Sequence, residues 1–426
     1  MNILNSINNM YTKNEAKQAI LDLYEKDRRN GNYSDLKVLI LNTPCNGFGD
    51  IIFAKKIAEY LINWYNIKPD IASTDTNKFK KLGYDGNLIL LGNNKRTQCR
   101  RFRKLEFQAK KLPIYDLILV APLMVDFDPD ISDVKKILPY ANEFNTYFFS
   151  EYNVQNPFDY DFPTGIGIPN KGMLFSDYII TGKIQGLNNP YAVIYIHDSK
   201  LLPGEECFFA FLKMISAKYN TTIKNLDVVI VNTKLINTIP NFRDEVIDTV
   251  KKYYPNINLV TEKGVQVLTY NPSTSKTLTL RADYPTFTYD KMQILIKNSI
   301  KDIVLTGDQS ITDALSCCKD KNIFYQIADW KENFGKQLGI KLPNKYLLKK
   351  KTSCGTLKAL KYDSNYDYFV ENYSFKKLGK PKLDAVIKLT KDIKEDDVVD
   401  LIIDTLVNSR TMKSFYKNII KNLKKN

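Results

Sequence analysis

The sequence has no run of about 18 consecutive apolar residues, which excludes an apolar helix long enough to cross a bilayer. Residues 1–13 also lack the apolar core of a signal peptide. Histidine is almost missing: His197 is the only one, which argues against a mechanism that needs several imidazoles in one cleft. Cysteine is scarce and irregular. Cys45, Cys99, Cys207, Cys317, Cys318 and Cys354 include one adjacent pair, a pattern that fits neither a disulfide framework nor a zinc site. A soluble, intracellular protein in a reducing compartment is therefore expected. Acidic residues are outnumbered, 47 against 62 Lys and Arg, for a net charge of +15. The lysines are scattered rather than gathered into arginine-aromatic blocks, so nucleic acid is not the expected partner. The excess suits solubility and an attraction for phosphate groups. The abundance of Lys, Asn, Ile and Tyr fits an AT-rich genome, as in a parasite or a large virus.

A chain of 426 residues, 44% hydrophobic, is long enough for two cores. Leu36–Leu41 is a buried-strand pattern that breaks at Gly47-Phe48-Gly49-Asp50 and resumes as a helix over Ile51–Trp64. Asp70–Thr74, Leu88–Leu91 and Leu117–Ala121 supply further strands, apolar throughout as strands covered on both faces are. A surface helix is expected over Asn14–Tyr24, and the basic run Lys95–Lys104 is expected to be a solvated face. Between Pro122 and Asn189 the pattern loosens. Tyr147-Phe148-Phe149 and Tyr160–Gly167 are expected to be ordered loops, with a hinge at Asn188-Asn189-Pro190.

The alternation then restarts. Strands Tyr191–Ile196, Leu226–Val231 and Ile257–Val260 alternate with helices Cys207–Tyr219, Phe242–Tyr254 and Asp290–Asn298. Four apolar-rich residues within Asp302–Thr306 form a strand followed by Gly307-Asp308-Gln309-Ser310, where Gly307 permits a tight turn and Ser310 or Asp308 caps a helix starting near Ile311. A helix start with free N–H groups suits a phosphate, although a capped junction without a ligand has the same pattern. Lys349–Gly355 has the composition of an exposed basic loop, and Asp396–Leu406 and Met412–Leu423 are helical in spacing.

Two α/β domains in tandem, with Gly47-Phe48-Gly49-Asp50-Ile51 in one and Gly307-Asp308-Gln309-Ser310 in the other, resemble a GT-B glycosyltransferase. The similarity is to bacterial protein-arginine rhamnosyltransferases and, more distantly, to heptosyltransferases. In the former the motifs read Asn-Phe-Gly-Asp-Ile and Gly-Glu-Asp-Ser, and Tyr289-Asp290 resembles a Tyr-Asp pair that opens the preceding helix. Asp308 thus stands where that family has glutamate, and Gln309 where it has aspartate. The resemblance implies two Rossmann-like domains facing each other across a cleft. Residues 1–189 would be the acceptor side with a helical arm, 190–400 the donor-binding domain, and 401–426 a helix packing back on the first domain.

The resemblance also implies an inverting, metal-independent transfer from a nucleoside-diphosphate sugar to a protein or glycan acceptor, with no other cofactor, no nucleic acid and no stable membrane insertion. Asp50 matches the proposed base and Asp308 joins it as catalytic, with Gly47 and Gly49 in the first turn. Gly307, Gln309, Ser310 and Ile311 would hold the donor. A metal-dependent GT-A enzyme would be expected to carry an Asp-x-Asp at a strand end; Asp126-Phe127-Asp128 is followed by Pro129-Asp130 and is a loop by composition. His197 and Lys200, at the carboxyl end of the second domain's first strand, face the crevice where α/β sheets bind ligands. Arg281 and Phe287 are further candidates, the aromatics near Tyr284 being suited to stack on a base. Two alternatives remain, a catalytically silent scaffold of this fold and a sugar-nucleotide epimerase, the latter disfavoured by the single histidine.

Overall fold

Uninterrupted apolar runs become buried parallel strands. The computed structural model describes residues 37–45, 47–92, 107, 112–115, 117–123, 128–141, 146–166, 169–170, 172–174, 181–199, 204–284, 287–317, 321–341, 347–352 and 355–361. Val38–Asn42 (β1), Leu117–Leu123 (β4) and Thr146–Ser150 (β5) are buried at every residue. With Asp70–Ser73 (β2) and Leu88–Leu90 (β3) they form a sheet in the order β3-β2-β1-β4-β5, each neighbouring pair parallel. Helix α1, Gly49–Tyr65, packs on β1 and β4. It buries Ile51, Ala54, Ile57, Ala58 and Leu61, which recur every three or four residues along one face. Asn66, with φ +55°, ends the helix by returning its N–H to Ile62 O. Thr76–Lys81 (α2) and Ile131–Lys135 (α3) complete this unit's described α-helices, and Pro157–Asp159 is a 3₁₀ turn.

Tyr147-Phe148-Phe149, expected as a loop, lies instead in strand β5. Its edge is covered by the segment that follows: Phe149 stacks on Phe162 with centroids 4.5 Å apart, and the Thr164 N–H donates to Ser150 Oγ at 2.8 Å. Asn153 holds both the N–H and the carbonyl of Ile166, at 2.9 and 2.8 Å. A covered edge cannot recruit another strand.

The second unit is built on a nine-stranded sheet in the order β13-β14-β12-β11-β6-β7-β10-β8-β9. Its parallel centre comprises Tyr191–Ile194 (β6), Asn225–Ile230 (β7), Asn256–Thr261 (β8), Thr277–Ala282 (β10), Asp302–Thr306 (β11) and Asn322–Gln326 (β12). Antiparallel strands flank it: Gly264–Thr269 (β9) on one side, and Leu347–Thr352 (β13) with Gly355–Lys361 (β14) on the other. Lys349–Thr352, expected as a loop, is therefore an arm of a hairpin. The helices are Gly204–Tyr219 (α4), Lys234–Thr238 (α5), Phe242–Val250 (α6), Tyr289–Asn298 (α7), Asp308–Cys317 (α8) and Glu332–Lys341 (α9). Helix α8 begins at Asp308, three residues before the predicted start.

The described residues up to Gly172 belong to one compact unit and those from Met173 onward to the other. Each central sheet is doubly wound, with strand order reversing at β1/β4 in the first and β6/β11 in the second, so each has a crevice at its carboxyl edge. Among the described residues no helix is long and apolar enough to cross a membrane. The expected helices at 14–24, 396–406 and 412–423 and the basic run at 95–104 lie outside the described residues.

Asn42, fully buried at the end of β1, ties the first crevice together. Its Nδ2 donates to the carbonyls of Asp50 and Ala121, both at 3.0 Å, and its Oδ1 accepts from Ser73 Oγ at 3.1 Å. One amide thus joins β1, β2, β4 and α1. Asn42→Ala should lose about 2–4 kcal/mol of stability in urea unfolding, because two buried groups and one partly buried carbonyl lose a partner together. A loss below about 1 kcal/mol would contradict that role.

Candidate functional site

The first crevice carries the Gly47–Asp50 turn. Asp50 is half-buried in the first turn of α1, where a carboxylate is favoured by the helix dipole. It is not an N-cap: that position is Phe48, which makes no side-chain cap bond. The Asp50 carboxylate instead reaches back across the turn, its Oδ2 accepting the Cys45 N–H at 3.1 Å. Lys78 braces the same turn, donating to Cys45 O at 3.4 Å and lying 5.7 Å over the Phe48 ring. The Thr43 hydroxyl is buried beside β1 with no partner. A Cβ built on Gly47 would meet nothing closer than 3.8 Å, so space alone does not demand glycine there. Cys45 is disulfide-bonded, which corrects the expectation of a reduced thiol there, while Cys207 is free and buried; pairing depends on proximity in the fold and not on spacing in the sequence.

The second crevice is richer. Adjacent strands β12, β11 and β6 deliver three loops to one edge, about 4.8 Å apart from strand to strand. The loop after β6 carries His197. Buried Gln326, at the end of β12, reaches past β11 and grips it, accepting the His197 N–H at 2.9 Å and donating to the His197 carbonyl at 2.7 Å. A Cβ on Gly204 would lie 2.6 Å from that carbonyl, so only glycine lets α4 start so close. Asn232 Nδ2 approaches His197 Nδ1 at 3.3 Å, and Tyr195 OH lies 3.2 Å from Nε2. An amide nitrogen only donates, so Nδ1 accepts and the ring proton sits on Nε2. Burial lowers the His197 pKa, which leaves the ring neutral at pH 7.

The loop after β11 turns at Gly307, with φ +78°, a left-handed conformation natural to glycine. Asp308 follows, with Oδ1 taking the Gln309 N–H at 2.7 Å and Oδ2 paired with Lys331 Nζ at 2.8 Å. The Ile311 N–H is already directed at Gly307 O, 3.4 Å away, so the amides of this turn offered to a ligand precede it. Ser310 is half-buried on the same turn. Gln309 Nε2 donates to Asp313 Oδ1 at 2.9 Å, and Tyr289 OH donates to the same oxygen at 3.1 Å, which joins the Tyr289-Asp290 pair to the second motif.

Two polar atoms stay unsatisfied here, Gln309 Oε1 and Tyr325 OH, on residues 7% and 1% exposed. Tyr325 pairs in register with Leu305, two residues before Gly307. Burial raises its pKa far above the ordinary phenol value; the Asp308 charge adds to the rise and Lys331 partly offsets it. Tyr195 is raised likewise by burial, then by Asp308. Both phenols are therefore neutral and able to donate. An orphaned buried hydroxyl and an orphaned amide oxygen beside an ion pair suit a ligand rich in hydroxyl and phosphate groups.

Arg281 and Phe287 are elsewhere. Arg281 lies on β10, three strands from β11. It makes a two-pronged pair with Asp283 at 2.9 and 2.6 Å, donates to Gly186 O at 2.9 Å, and stands 5.2 Å over Tyr284. Phe287 stacks on Tyr284 with centroids 5.4 Å apart. This cluster fastens residues 185–189 to the sheet, Asn189 adding a bond to Asp227 at 3.1 Å. Lys200 lies outside the described residues, as do residues 124–127 with Asp126 and Phe127. Trp330 and Lys331, in the turn after β12, were not singled out from sequence. A Trp-Lys pair just past a strand carries no motif; only the fold brings it beside His197 and Asp308.

These observations define a mixed α/β chain of two doubly wound, Rossmann-like units, each with a polar cluster at its switch point. No protein-family model and no curated protein matches the sequence. Among solved structures the chain is similar to Escherichia coli heptosyltransferase WaaC with ADP, at 9% identity and a TM-score of 0.34, over 68% of this chain and 87% of that one.

Because His197 is the single histidine, its imidazole signals in a proton NMR titration need no assignment. Their midpoint should lie below the ordinary value of about 6.5. A folded pKa below the unfolded one means the unfolded chain binds more protons as the pH falls through that window, so stability drops on acidification below about 6.5. His197→Gln should lose less stability between pH 7 and 5 than the parent chain. A midpoint above 6.5 would contradict the buried, neutral ring.

Proposed function

We propose that this chain is a glycosyltransferase of the GT-B kind that binds a nucleoside-diphosphate sugar at the carboxyl edge of the second sheet and passes its sugar to a protein or glycan acceptor with inversion. The observation that carries this reading is the pair of buried, unsatisfied groups, Gln309 Oε1 and Tyr325 OH, beside the Asp308–Lys331 pair at the β6/β11 switch point. A sugar nucleotide presents hydroxyls, phosphates and a planar ring together, so it can supply partners to such groups. Two Rossmann-like units in tandem are also the element order of that class.

In the proposed reaction the acceptor nucleophile attacks the anomeric carbon, the bond from that carbon to the diphosphate oxygen breaks, and the nucleophile's proton passes to Asp50. Asp50 holds this role by its place at the first sheet's switch point, on a turn braced by Asn42 and Lys78. Charge developing on the leaving diphosphate falls to Lys331 and the N–H groups at the start of α8, with Gly307 providing close approach and Ser310 a hydroxyl. Asp308 positions Lys331 and is an acceptor for a donor hydroxyl. His197, neutral, acts as a hydrogen-bonding group rather than a cation, and Lys200 is assigned the second positive charge. Ile311 is a packing residue in this scheme, while Arg281 and Phe287 brace the domain.

The test is a panel of nucleoside diphosphates and their sugars. A ligand at one hundred times its Kd adds about 2.7 kcal/mol, which should raise the melting temperature by about 5 °C or more. Lys331→Met should weaken nucleoside diphosphate binding at least about tenfold. Asp50→Asn should keep that binding and lose about 10²- to 10⁴-fold in turnover. No stabilisation by any member of the panel would sink the reading, and binding with unchanged turnover in Asp50→Asn would remove Asp50 as the base.

A further inference from the structure

Among the described residues, Trp330 is an exposed aromatic side chain at the second crevice that the transfer scheme leaves unused. It is 59% exposed, although indole burial is among the more favourable a fold can make. The exposure is not that of a loose loop. Trp330 is the middle residue of a 3₁₀ turn, Asp329–Lys331, directly after β12, and its neighbours on both sides are tied inward. Asp329 accepts from the buried Ser199 hydroxyl at 2.9 Å, Lys331 Nζ meets Asp308 at 2.8 Å, and the Lys331 N–H closes the turn on Ala328 O at 2.9 Å. The ties hold the indole outward.

Its ring centroid lies 6.1 Å from that of His197, with the planes inclined at 58°. The two rings therefore form a corner in which His197 borders one side of the indole, and an exposure of 59% requires that at least one indole face be open. The corner is aromatic and uncharged, because burial keeps His197 neutral, and the next residue is the cation Lys331. A nucleotide carries a flat heterocycle and a chain of phosphates one ribose apart. Consecutive residues Trp330 and Lys331 supply an exposed ring and, next to it in the chain, a cation held at Asp308.

We propose that Trp330 is the platform on which the donor's nucleobase stacks, with His197 as the side wall that limits the base's size. The inference rests on the reading of the second crevice as the nucleotide-sugar site. It displaces the expectation that Tyr284 and Phe287 hold the base. Those two rings already stack on each other, and the Tyr284 hydroxyl is engaged by Arg281 and by Gln185 O, at 3.1 and 3.0 Å.

The chain's two tryptophans make a direct test available. With Trp64→Phe, Trp330 becomes the sole indole reporter. ADP, GDP, UDP and CDP are titrated by fluorescence and calorimetry, beside inorganic pyrophosphate and free monosaccharides. The nucleoside diphosphate that binds should quench Trp330 strongly, and pyrophosphate should bind with little quenching. Trp330→Leu should weaken the nucleoside diphosphate about 10- to 100-fold and leave pyrophosphate within about twofold, while Trp330→Phe recovers most of the loss. Equal nucleoside diphosphate affinity in the parent chain and Trp330→Leu overturns the platform and leaves the donor site standing. Quenching by a monosaccharide but by no nucleotide also overturns it, in favour of a sugar ring on the indole. If neither nucleoside diphosphates nor pyrophosphate bind the parent chain, the donor site and the platform fall together.

Discussion

A parallel sheet whose strand order reverses about a central pair gathers its loops at one edge, and everything chemical in this protein depends on that constraint. In the second unit the constraint is tightened by one side chain. Gln326 spans from β12 to the chain leaving β6 and holds both hydrogen-bonding groups of the His197 peptide. The turn at Gly307 lies between them. Ser199 and Asp329 add a second strap across the same three strands. Loops held by buried amides and hydroxyls keep their side chains in place before any ligand arrives, which is the condition for binding without a large ordering cost. Asn42 does the same in the first unit.

The electrostatics of the second crevice follow from burial. An aspartate at a helix start would repel phosphate if left alone, but Asp308 directs one oxygen to a backbone amide and the other to Lys331. The local charge is close to balanced, and the histidine contributes none. A diphosphate arriving there would compete with Asp308 for Lys331, drawing on the attraction that a net charge of +15 provides at longer range. Such an exchange favours a ligand that also brings hydroxyl groups, because the released carboxylate, Tyr325 and Gln309 all need partners.

Most of the framework was legible in the sequence because it is local. Val38–Asn42, Asp70–Ser73, Asp302–Thr306 and the helix from Gly49 to Tyr65 are written in apolar runs and 3.6-residue periodicity, and the ends differ by at most two residues. The position of His197 at a strand's carboxyl end was legible for the same reason. The aromatic strand Thr146–Ser150 was not, because it sits in a stretch rich in Pro, Gly and Asn, and its partner Phe162 is twelve or more residues away. The basic strand Leu347–Thr352 was hidden by its lysines, which suit an outer strand as well as a loop. Lys331, Trp330 and Gln326 escaped notice because their meaning arises from strand adjacency. Arg281, given a ligand role from sequence, is bonded to Asp283 and Gly186, partners that sequence spacing did not reveal. The disulfide at Cys45 likewise depends on distance in space.

The most direct test is a crystal structure of the chain grown with whichever nucleoside diphosphate stabilises it most. The expected result is the nucleotide at the carboxyl edge of the second sheet, its diphosphate within hydrogen-bond distance of Lys331 and the turn at Gly307. A nucleotide seated instead beside Asp50 at the edge of the first sheet, with the second edge unchanged, would contradict the assignment of the donor site.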